Sequence, residues 1–262
     1  MFEYEYIHLM EELLDHGEKV ETRSGPVRKM FGLNLRFDTR HAPVLQSRRS
    51  HFKGIAGEYA AFLNGIKHID DFKKFGCNYW DSWADDNGDI RVDYGNLWRD
   101  WDGINQIDQV IEGIRKDPHG RRHIINAWNP GNLDSLSLPC CHYNYQFYVR
   151  ENKYLDLLWY QRSADWCVGV PADAMLAAIM LTTFAHQTYL EPGEVHMQFG
   201  DAHIYENHVE QAELQCKIFE EIEIQDVDWH IMYPASIYLF NPEMVVIKDY
   251  NPQESIRYEL NI

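Results

Sequence analysis

The sequence predicts one α/β or α+β domain spanning residues 1–262. Segments with the apolar spacing of helices alternate with runs rich in strand-forming residues. No repeat, low-complexity segment or long linker separates them. A hydrophobic fraction of 45% and an aromatic fraction of 14% are ample for a substantial core. These observations favour a single domain over two small ones.

Five segments are predicted to be helical, the first over residues 4–16. Residues 55–63 form an apolar segment that contains one acid, Glu58. The stretch INQIDQVIEGIRKDP is amphipathic and ends at Pro118, and a fourth helix starts with Pro171 in its first turn. The fifth is ENHVEQAELQCKIFEEI.

The strand predictions rest on runs of branched and aromatic residues. The stretch ETRSGPVRKMFGLNLRFD reads as a polar loop that leads into alternating residues, and NYWDSWADDNGDI reads as an aromatic and acidic turn region. Strands are predicted in RRHIINAWN, YNYQFYVRE, YLDLLWYQRS and GEVHMQFGDAHIY.

The charge balance restricts the class of ligand. With 24 basic and 41 acidic residues the formal net charge is 24 − 41 = −17, which argues against a general nucleic-acid binder. An anionic ligand must therefore be held by a few local arginines. Candidates are Arg23, the GRRH stretch with Arg121 and Arg122, and Arg162 in QRS, although each alone also suits a salt bridge.

Cysteine usage and the absence of a targeting pattern indicate a cytoplasmic protein. The five cysteines are odd in number and form no CxxC pair, which favours free thiols in a reducing compartment over disulfides or a zinc site. The N-terminus lacks a signal-peptide pattern. The apolar run AMLAAIMLTTFA is about a dozen residues long, whereas a membrane span needs ~20.

Two motifs carry candidate chemistry. In LPCCHYNYQF two cysteines and a histidine begin a strand, where a thiolate could act as a nucleophile, although small buried thiols give the same pattern. In GDAHIYENH the two histidines, His203 and His208, are five residues apart, which does not suit a shared metal on a strand or a helix. We therefore expect no metal.

Asp173 is an unusual acid because it stands in the apolar stretch VGVPADAML. Carboxylates are rarely buried without a partner. The residue follows Pro171 by two positions, so a favourable interaction with the helix dipole, of ~0.3–1 kcal/mol, is one explanation. Recognition of a ligand is the other.

Taken together, the motifs resemble one family: thymidylate synthase and its pyrimidine hydroxymethylase relatives. The matching stretches are TRSG, YWDSWADDNGD, DYGNLWR, GRRHIINAWN, LPCCH, QFYV, YQRSADWCVGVP and GDAHIYENHVEQ, in family order from about residue 4 onward. The tail KDYNPQESIRYELNI also has the family's length. The resemblance implies a large mixed β-sheet flanked by helices and a homodimer formed through that sheet.

The resemblance also implies roles for individual residues. Cys141 matches the nucleophile, Cys140 replaces a usual proline or small residue, and Glu58 and Tyr94 match the proton-transfer region. Arg121 and Arg122 match the arginines that reach the partner's site. The nucleotide-binding positions as a whole are Arg23, Arg121, Arg122, Gln161, Arg162, Ser163, Asp165, Asp173, His203 and Tyr205.

For the co-substrate the resemblance implies 5,10-methylenetetrahydrofolate. Arg49, His51 and Lys53 match positions near the negatively charged folate tail. The positions matched to folate binding and to closure of the site are His51, Trp80, Asp165, Gly169, Asn261 and Ile262.

The position of Asp173 decides which base is expected. The family's dUMP-methylating enzymes have asparagine there, whereas the phage deoxycytidylate hydroxymethylases have aspartate. A carboxyl group accepts from the cytosine amino group and, when protonated, donates to the ring nitrogen. The resemblance thus favours 5-hydroxymethylation of dCMP. The alternatives are dCMP methylation, CMP hydroxymethylation, dUMP methylation, and a catalytically silent nucleotide-binding or RNA-binding regulator; no nucleic acid or membrane partner is required.

Overall fold

The computed structural model of the chain describes residues 1–261. Ile262, which the resemblance assigns to the tail that closes over folate, lies outside the described residues. The strands are β1 (Glu18–Thr22), β2 (Gly25–Asp38), β3 (Ile124–Asn126), β4 (His142–Arg150), β5 (Tyr154–Asp165), β6 (Glu191–Tyr205), β7 (Trp229–Ile231) and β8 (Val245–Ile247).

Six of these strands form one mixed sheet in the order β1-β2-β6-β5-β4-β3. The neighbours β5 and β6 run parallel, and the other neighbours are antiparallel. Strands β7 and β8 pair separately in an antiparallel manner. The predicted α/β class and the large mixed sheet are therefore confirmed.

Helices cover the sheet, and their boundaries follow from their sequences. In the helix Gln106–Lys116 the residues Ile107, Val110, Ile111 and Ile114 have helical spacing and are all buried. The side chain of Asn105 caps its first turn. The helices are α1 (Phe2–His16), α2 (Phe52–Asn64), α3 (Asp70–Lys73), α4 (Asn96–Arg99), α5 (Gln106–Lys116), α6 (Gly169–Gln187) and α7 (Val209–Glu221).

Helix α6 makes the crossover between the parallel strands β5 and β6 and is buried on almost every side. It has 19 residues, so by length and composition alone it could cross a membrane. The apolar run AMLAAIMLTTFA is thus the middle part of this longer helix. Of its most apolar window 78% is buried inside the fold, which identifies α6 as the core helix of the domain.

The structure differs from the sequence predictions mainly in short elements. The stretch ETRSGPVRKMFGLNLRFD begins with the last two residues of β1 and then contains the whole of β2, and RRHIINAWN contributes only the three residues of β3. Helix α6 begins at Gly169, so Pro171 is its third residue and Asp173 its fifth. Asp173 therefore lies one turn inside the helix.

Candidate active site

The candidate site lies where the ends of β5 and β6 meet the start of β4 and the first turns of α6. The strand register pairs Ser163 with Asp201 and Asp165 with His203. At the start of β4 the register shifts between His142 and Asn144, which is an irregularity of the kind that re-aims side chains beside active sites. This topology brings the predicted nucleotide-binding residues of β5 and β6 to one end of the sheet, next to Cys141 before β4.

Cys141 lies immediately before β4 and is half-buried, whereas Cys140 is buried. The backbone N–H of Cys141 donates to the hydroxyl of Tyr94. Burial raises the pKa of the Cys141 thiol, and the guanidinium of Arg162 acts against that shift. Of the two adjacent thiols, Cys141 is therefore the one that is accessible and close to a positive charge.

Arg162 is held in place by the chain that carries the thiol. Its Nε donates to the carbonyl of Cys140 at 2.8 Å, and one terminal nitrogen donates to the carbonyl of Pro139 at 2.9 Å. The guanidinium also lies 5.3 Å from the ring centroid of Trp128. A guanidinium has five N–H groups, so this anchored side chain retains donors for an anion.

Glu58 lies on α2 and is buried, as its position in an apolar helix predicts. The indole Nε1 of Trp80 donates to its carboxyl group at 2.7 Å. Burial raises the pKa of Glu58 to about 7, and the bond from Trp80 acts against that shift. A carboxyl group with a pKa near neutrality can both take up and release a proton.

Asp173 points into the site and does not cap the helix. Its Oδ2 accepts from the side-chain amide of Gln161 at 2.7 Å, and its Oδ1 lies 3.7 Å from Nε2 of His142. The cap residue of α6 is Val168, and its side chain makes no capping hydrogen bond. The geometry thus gives the acid partners inside the site instead of the backbone N–H groups of the helix start.

Burial decides the protonation state of Asp173. It raises the pKa of this carboxyl group to about 8, and the hydrogen bond from Gln161 only partly opposes the shift. Burial also lowers the pKa of His142 to about 3, so the imidazole is uncharged at neutral pH. Its Nδ1 is held by the hydroxyl of Tyr145 at 2.6 Å. Asp173 and His142 are therefore both neutral.

Asp165 lies at the end of β5, next to the first turn of α6. Its Oδ1 accepts from the backbone N–H groups of Cys167 and Val168, at 3.0 and 3.1 Å. Burial raises the pKa of this carboxyl group, and His208 acts against that shift. A Cβ placed on Gly169 would lie 3.8 Å from Asp165 and 3.6 Å from a carboxyl oxygen of Asp173. Gly169 thus borders both acids.

Asp165, Cys167 and His208 also form a group of possible metal ligands. Their donor atoms lie within 4.8 Å of one another. Two of these ligands already have other partners. Asp165 accepts hydrogen bonds from two backbone N–H groups, and His208 donates one to a carbonyl group of the C-terminal tail.

The end of β6 presents His203 and Tyr205 on one face. The imidazole Nδ1 of His203 donates to Oδ1 of Asp201 at 2.9 Å, and the rings of His203 and Tyr205 meet edge to face at 5.2 Å. Arg23 is exposed in the turn between β1 and β2, and its charge acts on the hydroxyl of Tyr205. Arg23 therefore lies on the same side of the site as these two residues.

The remaining predicted basic residues are at the rim or away from it. Arg121 and Arg122 are exposed just before β3, and neither is hydrogen-bonded to a cleft residue within the described residues. His51 is exposed at the start of α2. Nearby, Lys53 is paired with Glu243 at 2.7 Å. Arg49, two residues before His51, is also exposed.

The C-terminal segment folds back onto α7 and the turn before it. His208 Nε2 donates to the carbonyl of Glu259 at 2.7 Å, and Asn261 lies 3.3 Å from Asn207. The hydroxyl of Tyr258 donates to Gln215 at 2.9 Å. The tail thus lies beside His208 and, through it, close to Asp165.

Two residues at the site are absent from the sequence predictions. His142 enters because the irregular register at the start of β4 turns it toward Asp173. Asp201 enters through its bond to His203, and here a signal was present because residues two apart in a strand share a face.

A protein-family model described as thymidylate synthase matches residues 4–262. The match covers nearly the whole chain, including every residue named at the site. Proteins of this family bind a pyrimidine nucleotide and transfer a one-carbon unit to its carbon 5, with methylenetetrahydrofolate as co-substrate. The chain therefore belongs to the thymidylate synthase family and is a folate-dependent pyrimidine nucleotide C5 transferase.

Proposed function

We propose that this enzyme hydroxymethylates carbon 5 of dCMP with 5,10-methylenetetrahydrofolate. The observation that carries the proposal is the buried, neutral carboxyl group of Asp173 at the position where the dUMP-methylating relatives have asparagine. It rests on the family assignment for the reaction and on Asp173 for the choice of base.

A protonated carboxyl group matches the edge of cytosine. Its carbonyl oxygen accepts from the amino group on carbon 4, and its O–H donates to ring nitrogen 3. With a pKa of about 8, Asp173 retains that proton at neutral pH. Gln161 donates to one of the two oxygens and so fixes the plane of the group.

The proton on Asp173 has a chemical use beyond recognition. When a thiolate adds to carbon 6 of cytosine, negative charge moves onto ring nitrogen 3, which then takes up a proton. Transfer from Asp173 leaves a carboxylate facing two N–H donors, and such charge-assisted pairs are stronger than neutral ones. Uracil already carries a proton on ring nitrogen 3, so that nitrogen cannot take one from Asp173. The acid therefore favours cytosine most in the transition state.

The other residues follow the family's reaction. The thiolate of Cys141 adds to carbon 6, so that carbon 5 becomes nucleophilic and attacks the methylene of the co-substrate. Loss of the carbon 5 proton and of tetrahydrofolate leaves an exocyclic methylene on the ring. We assign the proton transfers to Glu58, with a pKa of about 7, and to Tyr94, whose hydroxyl accepts from the backbone N–H of Cys141.

Polar groups on the tail support addition of water to the exocyclic methylene. Glu259 and Asn261 lie beside Asn207 and His208, where the family's usual tail residues are small. Hydrogen-bonding groups in the closing segment can hold water near the cleft. Water addition gives a hydroxymethyl group, whereas hydride transfer from folate gives a methyl group and dihydrofolate.

Methylation of dCMP is the second candidate, and Trp80 is the observation that favours it. The indole is 5% exposed, hydrogen-bonded to Glu58 and stacked on Phe72 at 4.8 Å. A dry aromatic wall excludes water and so favours hydride transfer. The two candidates differ only in the last step.

The experiment is a product assay in which dCMP, CMP and dUMP are offered together with methylenetetrahydrofolate and the products are identified by mass spectrometry. We expect 5-hydroxymethyl-dCMP as the main product. Dihydrofolate formed in step with turnover would instead show methylation, and a much higher kcat/KM for dUMP than for dCMP would overturn the choice of base.

Adjacent thiols provide the matched controls. Cys141→Ser should abolish both product formation and the exchange of tritium from carbon 5 of the nucleotide. Cys140→Ser should retain both within a few-fold, because the thiol of Cys140 is buried whereas that of Cys141 is accessible. Equal loss in the two variants would contradict the assignment of Cys141 as nucleophile.

We also propose a cytoplasmic homodimer in which the sheet face opposite α6 is the interface. That face carries Leu158 and Tyr160, which are half-buried, and Tyr148, which is exposed. The exposed Arg121 and Arg122 would then complete the phosphate site of the other copy. The free state of all five cysteines supports a reducing compartment.

Complementation tests the shared site. Neither the variant Cys141→Ser nor the double variant Arg121→Ala/Arg122→Ala should be active alone. Mixing equal amounts should restore about one quarter of the wild-type activity, because half of the dimers are mixed and each has one intact site. No recovery in a mixture shown to contain mixed dimers would contradict sharing.

A further inference from the structure

Among residues 1–261 the imidazole of His203 has a side-chain hydrogen bond at Nδ1 only. Asp201 and His203 are two residues apart in β6, so both side chains project from the same face. Nδ1 of His203 donates to Oδ1 of Asp201 at 2.9 Å, and Nζ of Lys29 on the neighbouring strand lies 3.3 Å from the other oxygen. The carboxylate therefore has a partner on each oxygen, and the ring has a fixed orientation.

This bond determines what His203 offers to a ligand. In a neutral imidazole one ring nitrogen carries the proton and the other is an acceptor. Because Nδ1 donates to Asp201, Nε2 is left with its lone pair free. The ring of Tyr205 stands edge to face with His203, and its phenolic O–H can donate. The two residues thus present one acceptor and one donor side by side.

We propose that Asp201 is a positioning residue: it holds His203 as a hydrogen-bond acceptor for the sugar hydroxyl that, by the resemblance to the family, His203 and Tyr205 contact. The inference rests on the proposed function, because it takes His203 and Tyr205 to face the sugar. A hydroxyl donates once and accepts twice, so it can donate to His203 while it accepts from Tyr205.

The direction of this hydrogen bond has a consequence for binding. An oxygen in a 3′-phosphodiester has no proton to donate, so the acceptor on His203 would be left unpaired against it, which is costly in a mostly buried site. The exposed fraction of the His203 side chain is 12%. A nucleotide whose 3′-oxygen cannot donate should therefore bind less tightly than one with a free 3′-hydroxyl.

Two analogues of dCMP test the direction of the hydrogen bond. One carries fluorine in place of the 3′-hydroxyl, and the other carries hydrogen. Neither can donate, so we expect kcat/KM and the calorimetric affinity to fall on the order of tenfold for both, relative to dCMP. Fluorine can only accept, so the fluoro analogue should be no better than the 3′-deoxy analogue. A fluoro analogue as good as dCMP would overturn the proposal, because His203 would then be a donor.

Variants of Asp201 test whether it is the positioning residue. In Asp201→Ala the ring is free to turn and to change tautomer, so the preference for dCMP over its 3′-deoxy analogue should fall to about twofold or less. Asp201→Asn should retain most of the preference, because an amide oxygen still accepts from Nδ1. An unchanged preference in Asp201→Ala would overturn the role of Asp201.

A second pair of the same kind serves as the matched control. Asp226 binds Nδ1 of His41 at 2.6 Å, far from the candidate site in the region around β7. Asp226→Ala should leave the preference unchanged. If the protein prefers dUMP, the same sugar comparison is made with dUMP analogues. A wrong base preference would thus appear in the product assay, whereas a wrong role for Asp201 would appear in the comparison of sugar analogues.

Discussion

Two carboxyl–imidazole pairs stand at the two ends of the candidate site, and they differ in charge. At one end Asp173 lies 3.7 Å from His142, and at the other Asp201 accepts from His203 at 2.9 Å. The pKa of Asp173 is raised to about 8, whereas the pKa of Asp201 is held below its ordinary value. The same two residue types therefore give a neutral acid in one place and an anion in the other.

Burial and the nearest donors explain the difference. The Asp173 and His142 side chains are 15% and 6% exposed, and in the described part of the chain no lysine or arginine forms a salt bridge with the carboxyl group. Asp201 is 38% exposed and has His203 on one oxygen and Lys29 on the other. Desolvation disfavours charge in the first pair, and hydrogen bonds to the charged form favour it in the second. A carboxyl group at a ligand site acquires its role from its surroundings, and the four predictions below test this from the largest expected effect to the smallest.

The largest effect is expected where the neutral acid is removed. Asp173→Asn keeps the size of the side chain and a donor–acceptor pair but cannot release a proton. We expect kcat/KM for dCMP to fall by about 100-fold and turnover of dUMP to rise, since a lost charge-assisted hydrogen bond and the lost proton both act in the transition state. Asp201→Asn makes the same change in the other pair and should leave the dCMP to dUMP ratio unchanged.

The second prediction concerns pH. Asp173 must be protonated to donate, and its pKa is about 8, so the proton is present below that pH and lost above it. We expect log kcat/KM for dCMP to fall with a slope of about −1 above pH 8. The dUMP profile of Asp173→Asn should lack this fall while it keeps any contribution from Glu58. If Asp173→Asn showed the same fall above pH 8 as the wild type, the ionisation responsible would belong to another group.

The third prediction links the same acid to stability. Its pKa in the folded protein is about 8, above the ordinary value of 3.8, so its favourable contribution to folding is complete below about pH 3.8 and is lost as pH rises through about 8. Asp173→Asn does not titrate there. The melting temperature of the variant, relative to wild type, should therefore rise steadily from pH 5 to pH 8 in calorimetry. A constant difference would show that the carboxyl group is already ionised in the fold.

The smallest effect is expected from Lys29→Met, which weakens the charged pair without breaking it. The hydrogen bond from His203 lowers the pKa of Asp201 more than Lys29 does. The two side chains of the salt bridge are also 32% and 38% exposed, and exposed ion pairs contribute little. The preference for a 3′-hydroxyl should change by less than about twofold in the analogue assay. A loss as large as that of Asp201→Ala would make Lys29 the essential partner.

The sequence predicts the long, periodic elements of this fold better than the short ones. Helix α5 is recognisable from its isoleucines and its end before Pro118. Strands β7 and β8 have three residues each and helices α3 and α4 have four, which is too few for a period to show. Elements of this size form because of what they pack against, and a linear reading does not contain that information.

In the candidate site, too, some features can be predicted from the sequence and others only from the fold. The position of Asp173 marks it as unusual from sequence alone, but helix position predicts a lowered pKa and burial a raised one, and only the fold shows that burial prevails. The approach of His142 to Asp173 depends on the irregular register at the start of β4, which the sequence pattern does not predict. The contact of Asp201 with His203 was readable from the strand period in GDAH.

The neighbours of Asp173 are held independently of it. Gln161 is anchored by the indole of Trp159 at 3.2 Å, and His142 is anchored by the hydroxyl of Tyr145. An acid and an amide of the same shape can therefore exchange at position 173 without rebuilding the pocket. Codons for aspartate and asparagine differ by one nucleotide, so whatever base preference this position confers lies a single point mutation away from its alternative.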